Sequence, residues 1–277
     1  MFRLAAIAAA VFLAVPAWAQ INVRLDLERD RYLLFESMVA TVEIQNYSAG
    51  PVQLADQESA PWLKFEITRS TGERIGIVGS GFLAGTVTLE PGQTIAKSIN
   101  LVAYYQIREP GRYRIRSLVK IGNLGSSFAS REQTVDVVAG RQMLSKSAGF
   151  KDESGAEGLR NYVLLEVQLG RQVWLYARVE DQGGTIYGVI PLGEWVTFSA
   201  PKADTDRDGN FHTLHQAQPR HFRYSIISPK AGVLKRQSLS NYNSLPNLTR
   251  SEDGQVKVVG GESMDRSPQQ PRSTKTP

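Results

Sequence analysis

The chain has 277 residues, 42% of them hydrophobic, with 32 basic against 27 acidic side chains and no cysteine. This ordinary apolar content and modest charge exclude a disordered protein and a coiled coil. The lack of cysteine excludes a disulfide framework, a thiolate zinc site and a cysteine nucleophile. The basic excess is too small for the concentrated positive field of a nucleic-acid-binding protein, so we expect no nucleic acid partner.

The first 19 residues have the pattern of a secretory signal peptide. Arg3 precedes a short apolar run at 4–15, and small residues stand at Ala17 and Ala19, so we expect cleavage before Gln20. The run is too short for a transmembrane helix, which needs about 20 residues, and no other segment is apolar enough to cross a bilayer. We expect an exported protein, periplasmic or extracellular, with no membrane span after cleavage. Export without cysteine favours a bacterial envelope.

Residues 20–139 contain several runs in which apolar and polar residues alternate strictly. These runs lie at Ile21–Leu27, 38–44, 63–68, 112–116 and 135–137. A period of two predicts strands with one buried and one solvent-facing side. Glycine- and proline-rich turn signals separate the runs, and no window shows a convincing helical stripe. Seven or more short strands without helices predict an antiparallel β-sandwich.

Four segments of this region resemble bacterial immunoglobulin-like domains. The segments are FES at 35–37 with ATVEIQN at 40–46, PVQL at 51–54, LEPGQT at 89–94 and EPGRYRI at 109–115. The first two are similar to early strands of such domains, and the last two to later turn-strand units. The resemblance implies an immunoglobulin-like β-sandwich over 20–139. Such domains serve adhesion, scaffolding, inhibition and enzyme accessory roles, so the fold alone does not select a function.

The remaining chain is predicted to contain a linker, a second β-domain and a tail. Residues 140–158 lack alternation and are rich in Ser, Gly, Lys and Glu, which indicates a linker. Strand patterns resume within 159–262, where we expect a second small β-domain, either a sandwich or paired four-stranded meanders. Residues 263–277 cannot bury a core and are predicted to be disordered.

The second half also contains a faint internal repeat. DRDGNFH at 206–212 compares with SEDGQVK at 251–257, and the two Asp-Gly turns lie 45 residues apart. This spacing resembles the blade-type β repeats of exported bacterial proteins. One and a half such units cannot close a propeller, so we favour the small sandwich or the paired meanders.

One loop has a partial calcium-binding pattern. Asp204, Asp206, Asp208 and Asn210 place oxygen ligands at alternate positions, as in the first half of a calcium loop. The twelfth position, where a glutamate closes the shell, is His215. The alternative is a polar hairpin turn. Calcium at these four residues is the one cofactor that the sequence leaves open.

The three histidines lie close together in the sequence, beside the same aspartates. His212 and His215 are three residues apart and therefore point to opposite faces of a strand, which argues against a zinc site that includes His221. We expect surface or packing roles for all three. The sequence has no nucleophile elbow, Walker motif or dinucleotide glycine motif, so we name no catalytic residue.

Two sets of side chains are candidates for binding. Arg112, Arg114 and Arg116 project from one face of a single predicted strand, where they form either a site for an anionic partner or an ordinary solvated face. Trp174 and Tyr176 face outward if the aliphatic side of their strand is the core, and could then stack on a sugar or a protein. A strand buried on both sides is the equal alternative. The expected partner is an envelope protein or glycan.

The sequence leaves three hypotheses for the function of the protein. The leading hypothesis is an exported, non-catalytic interaction or envelope-structural protein, based on the strands, the signal peptide and the lack of a catalytic motif. The second is an envelope hydrolase or its calcium-dependent accessory domain that uses the segment 204–221. The third is a proteinase inhibitor, since some inhibitors resemble the first sandwich, and it predicts a rigid exposed loop such as 79–85.

Overall fold

The computed structural model describes residues 21–57, 61–79, 81–122 and 126–265. The predicted signal peptide lies outside these residues, as does most of the predicted tail. The described residues form 21 strands and a single four-residue helix, which confirms an all-β protein built from several antiparallel sheets. No helix in this part of the chain has the length and hydrophobicity needed to cross a membrane.

The first half of the chain contains ten strands and the helix. They are β1 (Ile21–Leu27), β2 (Arg31–Leu33), β3 (Val39–Asn46), β4 (Val52–Ala55), β5 (Leu63–Arg69), β6 (Thr86–Leu89), β7 (Thr94–Asn100), α1 (Leu101–Tyr104), β8 (Gly111–Ile121), β9 (Ser126–Ala129) and β10 (Gln133–Val138). One sheet has the order β1-β3-β7, and the other has the order β2-β10-β8-β5, with β9 beside β8. β4 and β6 form a separate two-stranded sheet.

The two larger sheets of the first half share one core. The apolar residues of each alternating run point inward, such as Val42 and Ile44 in β3 and Tyr113 and Ile115 in β8. The polar residues between them face solvent, which is the burial pattern that period-two sequences produce. β2 pairs with β10 in parallel, whereas the other strand pairs of the two sheets are antiparallel.

The second half of the chain contains eleven strands. They are β11 (Arg141–Lys151), β12 (Glu157–Leu169), β13 (Gln172–Glu180), β14 (Ile186–Glu194), β15 (Lys202–Thr205), β16 (Phe211–Gln218), β17 (His221–Ile227), β18 (Val233–Ser240), β19 (Asn247–Arg250), β20 (Val256–Val259) and β21 (Glu262–Ser263). β11 to β14 form one meander, and β15 to β18 form a second, which β21 extends. The hairpin β19–β20 is a separate pair.

The second half is layered. The two meanders enclose a core that includes Leu164, Leu175 and Phe211. The hairpin β19–β20 covers the other face of the second meander, where Leu248 and Val258 pack against its buried residues. The two central strands of that second meander, β16 and β17, therefore contact apolar side chains on both faces.

The segment predicted to be a linker is a strand. Residues Arg141–Lys151 pair with β12 along almost their whole length. The pattern hides this strand because β11 is an edge strand with a largely exposed, polar face, and a register shift between Gln142 and Leu144 breaks the alternation. The predicted tail also begins too early, because Ser263 still pairs with Leu239.

The two halves are in direct contact. The connection between β10 and β11 contains only two residues, and Leu33 packs on the outer face of the first meander. Gly140 in this connection has φ +74°, and an added Cβ would lie 2.9 Å from Leu33 Cδ1 and 3.2 Å from the Glu166 carbonyl. Only glycine fits this close passage without strain.

Candidate functional site

The three candidate arginines lie on the exposed face of β8. They alternate with the buried Tyr113 and Ile115, so the row has the geometry that the sequence predicts. Each has an acidic neighbour: Arg112 Nε lies 2.8 Å from Asp136 Oδ1, Arg114 Nε lies 3.9 Å from Glu132 Oε1, and Arg116 pairs with Glu66. Hydrogen bonds from Arg112 lower the pKa of Asp136. Solvent screens such exposed pairs, so they contribute little to stability.

An open groove of about 550 Å³ lies along this row. Its buried lining residues include Phe65 and Ile67 of β5 and Tyr105 after α1. Its exposed lining residues come from β8 and from the segment that follows β5; they include Arg74, Ile77, Arg114 and Arg116. Glu66 and Glu132, the partners of Arg116 and Arg114, also line the groove, so Arg74 is the lining arginine without an acidic neighbour among the described residues.

Arg74 differs from the arginines of the row. Its side chain is exposed at the groove and has no carboxylate or hydrogen-bond partner among the described residues. Ile77, which also lines the groove, is 45% exposed. A guanidinium and an aliphatic side chain are thus both available to a partner at the same place.

The loop after this segment is anchored and exposes one leucine. Phe82 is buried, with its ring centroid 6.0 Å from that of Phe65 and 5.4 Å from that of Tyr104. Trp62 Nε1 donates a 2.7 Å hydrogen bond to the Gly85 carbonyl. The side chain of Leu83, next to the Phe82 anchor, is 74% exposed.

Of the two alternatives for Trp174 and Tyr176, the outward-facing pair is wrong and the strand buried on both sides is correct. Tyr176 is fully buried, and Trp174 is half-buried, because the first half of the chain covers this face of the meander. Arg29 Nη1 donates a 3.2 Å hydrogen bond to the Tyr176 hydroxyl, and Arg29 also pairs with the buried Glu36 at 2.6 Å. Burial is the main cause that raises the pKa of Tyr176 to about 12. The strand is buried on both sides, so these two aromatic residues join the halves.

The four candidate calcium ligands do not point to one centre. Asp204 lies in β15, and its carboxylate accepts hydrogen bonds from Arg250. Asp206 Oδ1 instead accepts the backbone N–H groups of Asp208 and Asn210, which closes the turn. Within the described ranges, no group of three or more His, Cys, Asp or Glu side chains could hold a metal ion. The pattern of alternating aspartates is therefore a hydrogen-bonded turn around Asp206. Asp204 is separate from this turn, because it lies in β15 and bonds to Arg250 of the hairpin β19–β20.

Asp206, His212 and Tyr224 form a buried hydrogen-bonded chain. His212 Nε2 lies 3.0 Å from Asp206 Oδ2, and His212 Nδ1 lies 2.7 Å from the Tyr224 hydroxyl. Burial, and then the charge of Asp206, raise the pKa of Tyr224 to about 12. Each of the three residues is less than a tenth exposed. These three side chains are too buried for a substrate to reach. Their hydrogen bonds connect β16 and β17 to the turn at Asp206.

His215 lies on the opposite side of β16 from His212. It is buried, and neither ring nitrogen has a hydrogen-bond partner in the described structure. Burial, and then the nearby positive charge of Arg223, lower the pKa of His215 to about 4. His221 is half-buried and lies near the Gln218 side chain. The expectation of packing roles agrees with the positions of His212 and His215.

Sequence reasoning missed the residues of the groove that are free to bind. Arg74 and Ile77 lie in a turn-rich segment, where no alternation marks a side chain as exposed or buried. The glycine-rich run around 76–85 could have drawn attention to them, because clustered glycines predict a backbone that packs closely against another element or adopts a positive φ.

The comparisons with known proteins give a limited result. No family model matches the chain, and no curated protein matches it. Among solved structures, the chain is similar to Spo0M, a sporulation control protein from Bacillus subtilis. The two are 11% identical over 59% of this chain and 80% of that chain, with a TM-score of 0.33. This partial likeness says nothing about function.

Proposed function

We propose that this protein is an exported, non-catalytic binding protein of the bacterial envelope and that its groove holds part of a partner protein. The observation that carries the proposal is the exposed Arg74, which has no partner among the described residues, beside the exposed Ile77. Arginine next to apolar surface is typical of protein-binding sites. Export rests on the predicted signal peptide.

The chemistry of the groove favours a protein segment over a glycan. Sugars stack on exposed aromatic faces, but Phe65 and Tyr105 in the groove lining are both buried. The Tyr105 hydroxyl also accepts the backbone N–H of Phe65 at 2.9 Å, which holds the ring in the core. The partner segment would place a carboxylate on Arg74 and an aliphatic side chain on Ile77.

We also propose that the first half is an immunoglobulin-like domain. The strand order supports this, with β1-β3-β7 facing β2-β10-β8-β5. A second support is Tyr113 near the start of β8, whose hydroxyl donates a 2.6 Å hydrogen bond to the Glu109 carbonyl. This contact resembles the tyrosine corner of immunoglobulin-like sandwiches.

The test is a site-specific crosslink. A photoreactive amino acid replaces Ile77 in the purified protein, which is mixed with envelope extract from the source bacterium. We expect a discrete adduct that disappears when Arg74→Glu is added and persists when the exposed Arg24→Glu is added as a control. An adduct that survives Arg74→Glu, or no adduct at all, would contradict the proposal.

Proteinase inhibition is the second candidate, because the loop around Leu83 is anchored at Phe82 and Gly85 and exposes a leucine. A rigid loop with an exposed leucine could place that side chain in the hydrophobic specificity pocket of a chymotrypsin-like protease. Titration of chymotrypsin, which accepts leucine, tests this candidate. Inhibition at equimolar protein that is lost in Leu83→Asp supports it, whereas rapid cleavage of the loop without inhibition removes it.

A further inference from the structure

The strand β18 has a free edge in its first part. β17 pairs with one side of β18 from Val233 to Ser240, but β21 pairs with the other side only at Leu239 and Ser240. Met264 N–H donates to the Ser238 carbonyl, and the Asp265 carboxylate lies 3.4 Å from the Ser238 nitrogen, so the described cover ends at Ser238. Along 233–237, no described strand lies on the outer side of β18.

The hydrogen bonds identify which backbone groups face outward. Because the Ser238 carbonyl points away from β17, alternation directs the backbone N–H and carbonyl of Arg236 to the same outer side. These two groups have no partner among the described residues. A register shift follows between Ile226 and Ile227 of the neighbouring strand, so Val233 and Leu234 lie beside a bulge. They are 42% and 59% exposed.

The side chains at this edge are basic on both faces of the sheet. Lys235 Nζ lies 5.6 Å from the centre of the Tyr224 ring on one face, and Arg236 Nη2 donates a 3.0 Å hydrogen bond to the Pro191 carbonyl on the other. β18 contains no acidic residue, and the nearest described carboxylate at its outer edge, that of Asp265, lies at Ser238, beyond the 233–237 stretch. A strand added here would therefore meet one positive charge on each face, next to exposed aliphatic surface.

We propose that the edge of β18 at 233–237 binds an extended acidic segment of another protein as an added strand. Two neighbouring acidic residues in that segment would lie opposite Lys235 and Arg236, one on each face, and an aliphatic residue would contact Leu234. Backbone hydrogen bonds to Arg236 would supply the strand pairing. This site is separate from the groove of the first half.

Charge argues against a second copy of the same chain as the occupant. In an antiparallel pair of two β18 strands centred on this region, Lys235 and Arg236 would lie opposite the same two residues of the other copy. Like charges directly opposite each other destabilise a strand pair. The basic edge thus prevents self-association while it attracts an acidic strand.

The test uses a synthetic peptide, Thr-Val-Glu-Glu-Val-Thr-Val-Thr, with a fluorescent label, and a control peptide that has lysine in place of both glutamates. We expect the full-length protein to bind the acidic peptide at least about tenfold more tightly than the control. Amide exchange at 233–237 should slow when the acidic peptide is present. Equal binding of both peptides, or protection only outside β18, would overturn the proposal.

Two variants separate backbone pairing from charge. Arg236→Ala and Arg236→Pro both lose the guanidinium, but only the proline variant loses the outward backbone N–H. Because that N–H does not face β17, the proline variant keeps the backbone hydrogen bonds between β18 and β17. We expect the acidic peptide to bind Arg236→Ala and to fail to bind Arg236→Pro, with both melting curves recorded as a folding control. Equal binding to the two variants, or a dimer of the wild type that Arg236→Pro abolishes, would exclude the proposed mode. If the proline variant does not fold, the exchange measurement on the wild type decides.

Discussion

At the scale of single residues, Asp206 shows how the fold accommodates a buried carboxylate. Its two oxygens accept the backbone N–H groups of Asp208 and Asn210, the Asn210 amide and His212 Nε2. Burial alone would raise the pKa of Asp206, but the hydrogen bonds from His212 and Asn210 outweigh it, and the pKa is lowered. The ionised form is therefore held by the protein's own donors.

We expect Asp206→Asn to lower the free energy of unfolding by about 2 kcal/mol, because a carboxylate with four donors is replaced by an amide that competes with them. The control is Asp208→Asn, whose exposed side chain makes a change within about 0.5 kcal/mol the expected result. Urea unfolding at neutral pH, with calcium and with chelator, measures both variants. Equal losses for both variants, together with stabilisation by calcium, would restore the calcium-loop hypothesis.

His215 predicts a pH dependence of stability. The ordinary pKa of a histidine is 6.5, and that of buried His215 is about 4, so between these values the unfolded chain binds a proton that the folded chain does not. The free energy of unfolding should therefore fall as the pH falls from about 6.5 to about 4, by roughly 3 kcal/mol in total. Above about pH 6.5, the stability that acid removes through His215 is fully present.

The measurement for His215 is urea unfolding at several pH values between 4 and 7. His215→Gln removes the titrating group, so we expect its stability to fall less steeply with acid, even if the variant is less stable overall. His221→Gln is the matched control, since it removes a histidine that the sheet leaves half-exposed. An unchanged slope in His215→Gln would show that other groups cause the acid sensitivity.

Residue patterns predict which side chains share a face, but not what covers that face. The arginine row of β8 lies where its alternation places it, because the opposite side is the core of its own sandwich. The same reasoning fails for Tyr176, because the cover on that side comes from Leu33, which is 143 positions earlier in the chain. The hydrogen bond between Tyr224 and His212 could not be predicted from the sequence either, because it depends on the register of β16 against β17.

At the scale of elements, the loop around Phe82 combines an anchor with an exposed neighbour. We expect Phe82→Ala to lower the free energy of unfolding by about 3 kcal/mol, because it removes the ring that packs on Phe65 and Tyr104. Leu83→Ala, with its side chain in solvent, should change stability by less than about 0.5 kcal/mol. Thermal or urea unfolding of the pair checks this.

The opposite ranking of these two variants would mean that the loop is turned over, with Leu83 in the core. The second candidate function would then lose its exposed residue. The groove would also change, because Phe82 supports Phe65 at its lining.

Strands that are buried on one side were predictable, and β11 was not. Its small and polar residues, such as Ser145 and Ser147, lie exposed at a sheet edge, and only a few of its side chains reach the core. Hydrogen bonds to β12, which do not depend on side-chain polarity, fix its conformation. The groove was unpredictable for a related reason, because it forms between β5, β8 and a turn that tertiary contacts bring together.

At the scale of the whole molecule, the outer face of the first meander is a core surface of the full chain. Val163, Val167 and Tyr176 are buried there against Leu33. We expect a fragment of residues 140–265 to expose this face and therefore to bind a hydrophobic dye and self-associate. Dye fluorescence and sedimentation of the fragment, compared with a chain of residues 20–277, measure this.

A monomeric fragment without dye binding would show that the two halves are independent and that their contact is incidental. The variant Glu36→Gln in the full chain gives a second measurement. It removes the charge that pairs with Arg29 at the contact, so calorimetry should show a lower melting temperature than for the wild type.

The two-residue connection at Gly140 also affects how tightly a ligand that occupies both proposed binding sites would bind. The connection is short and Leu33 packs on the first meander, so we expect the groove and the edge of β18 to keep a nearly constant separation. Any molecule long enough to occupy both would make its second contact at a high effective concentration, and its overall avidity would exceed either affinity alone. Lengthening that connection with a flexible insert would weaken such a bivalent ligand while leaving each short, single-site peptide unaffected.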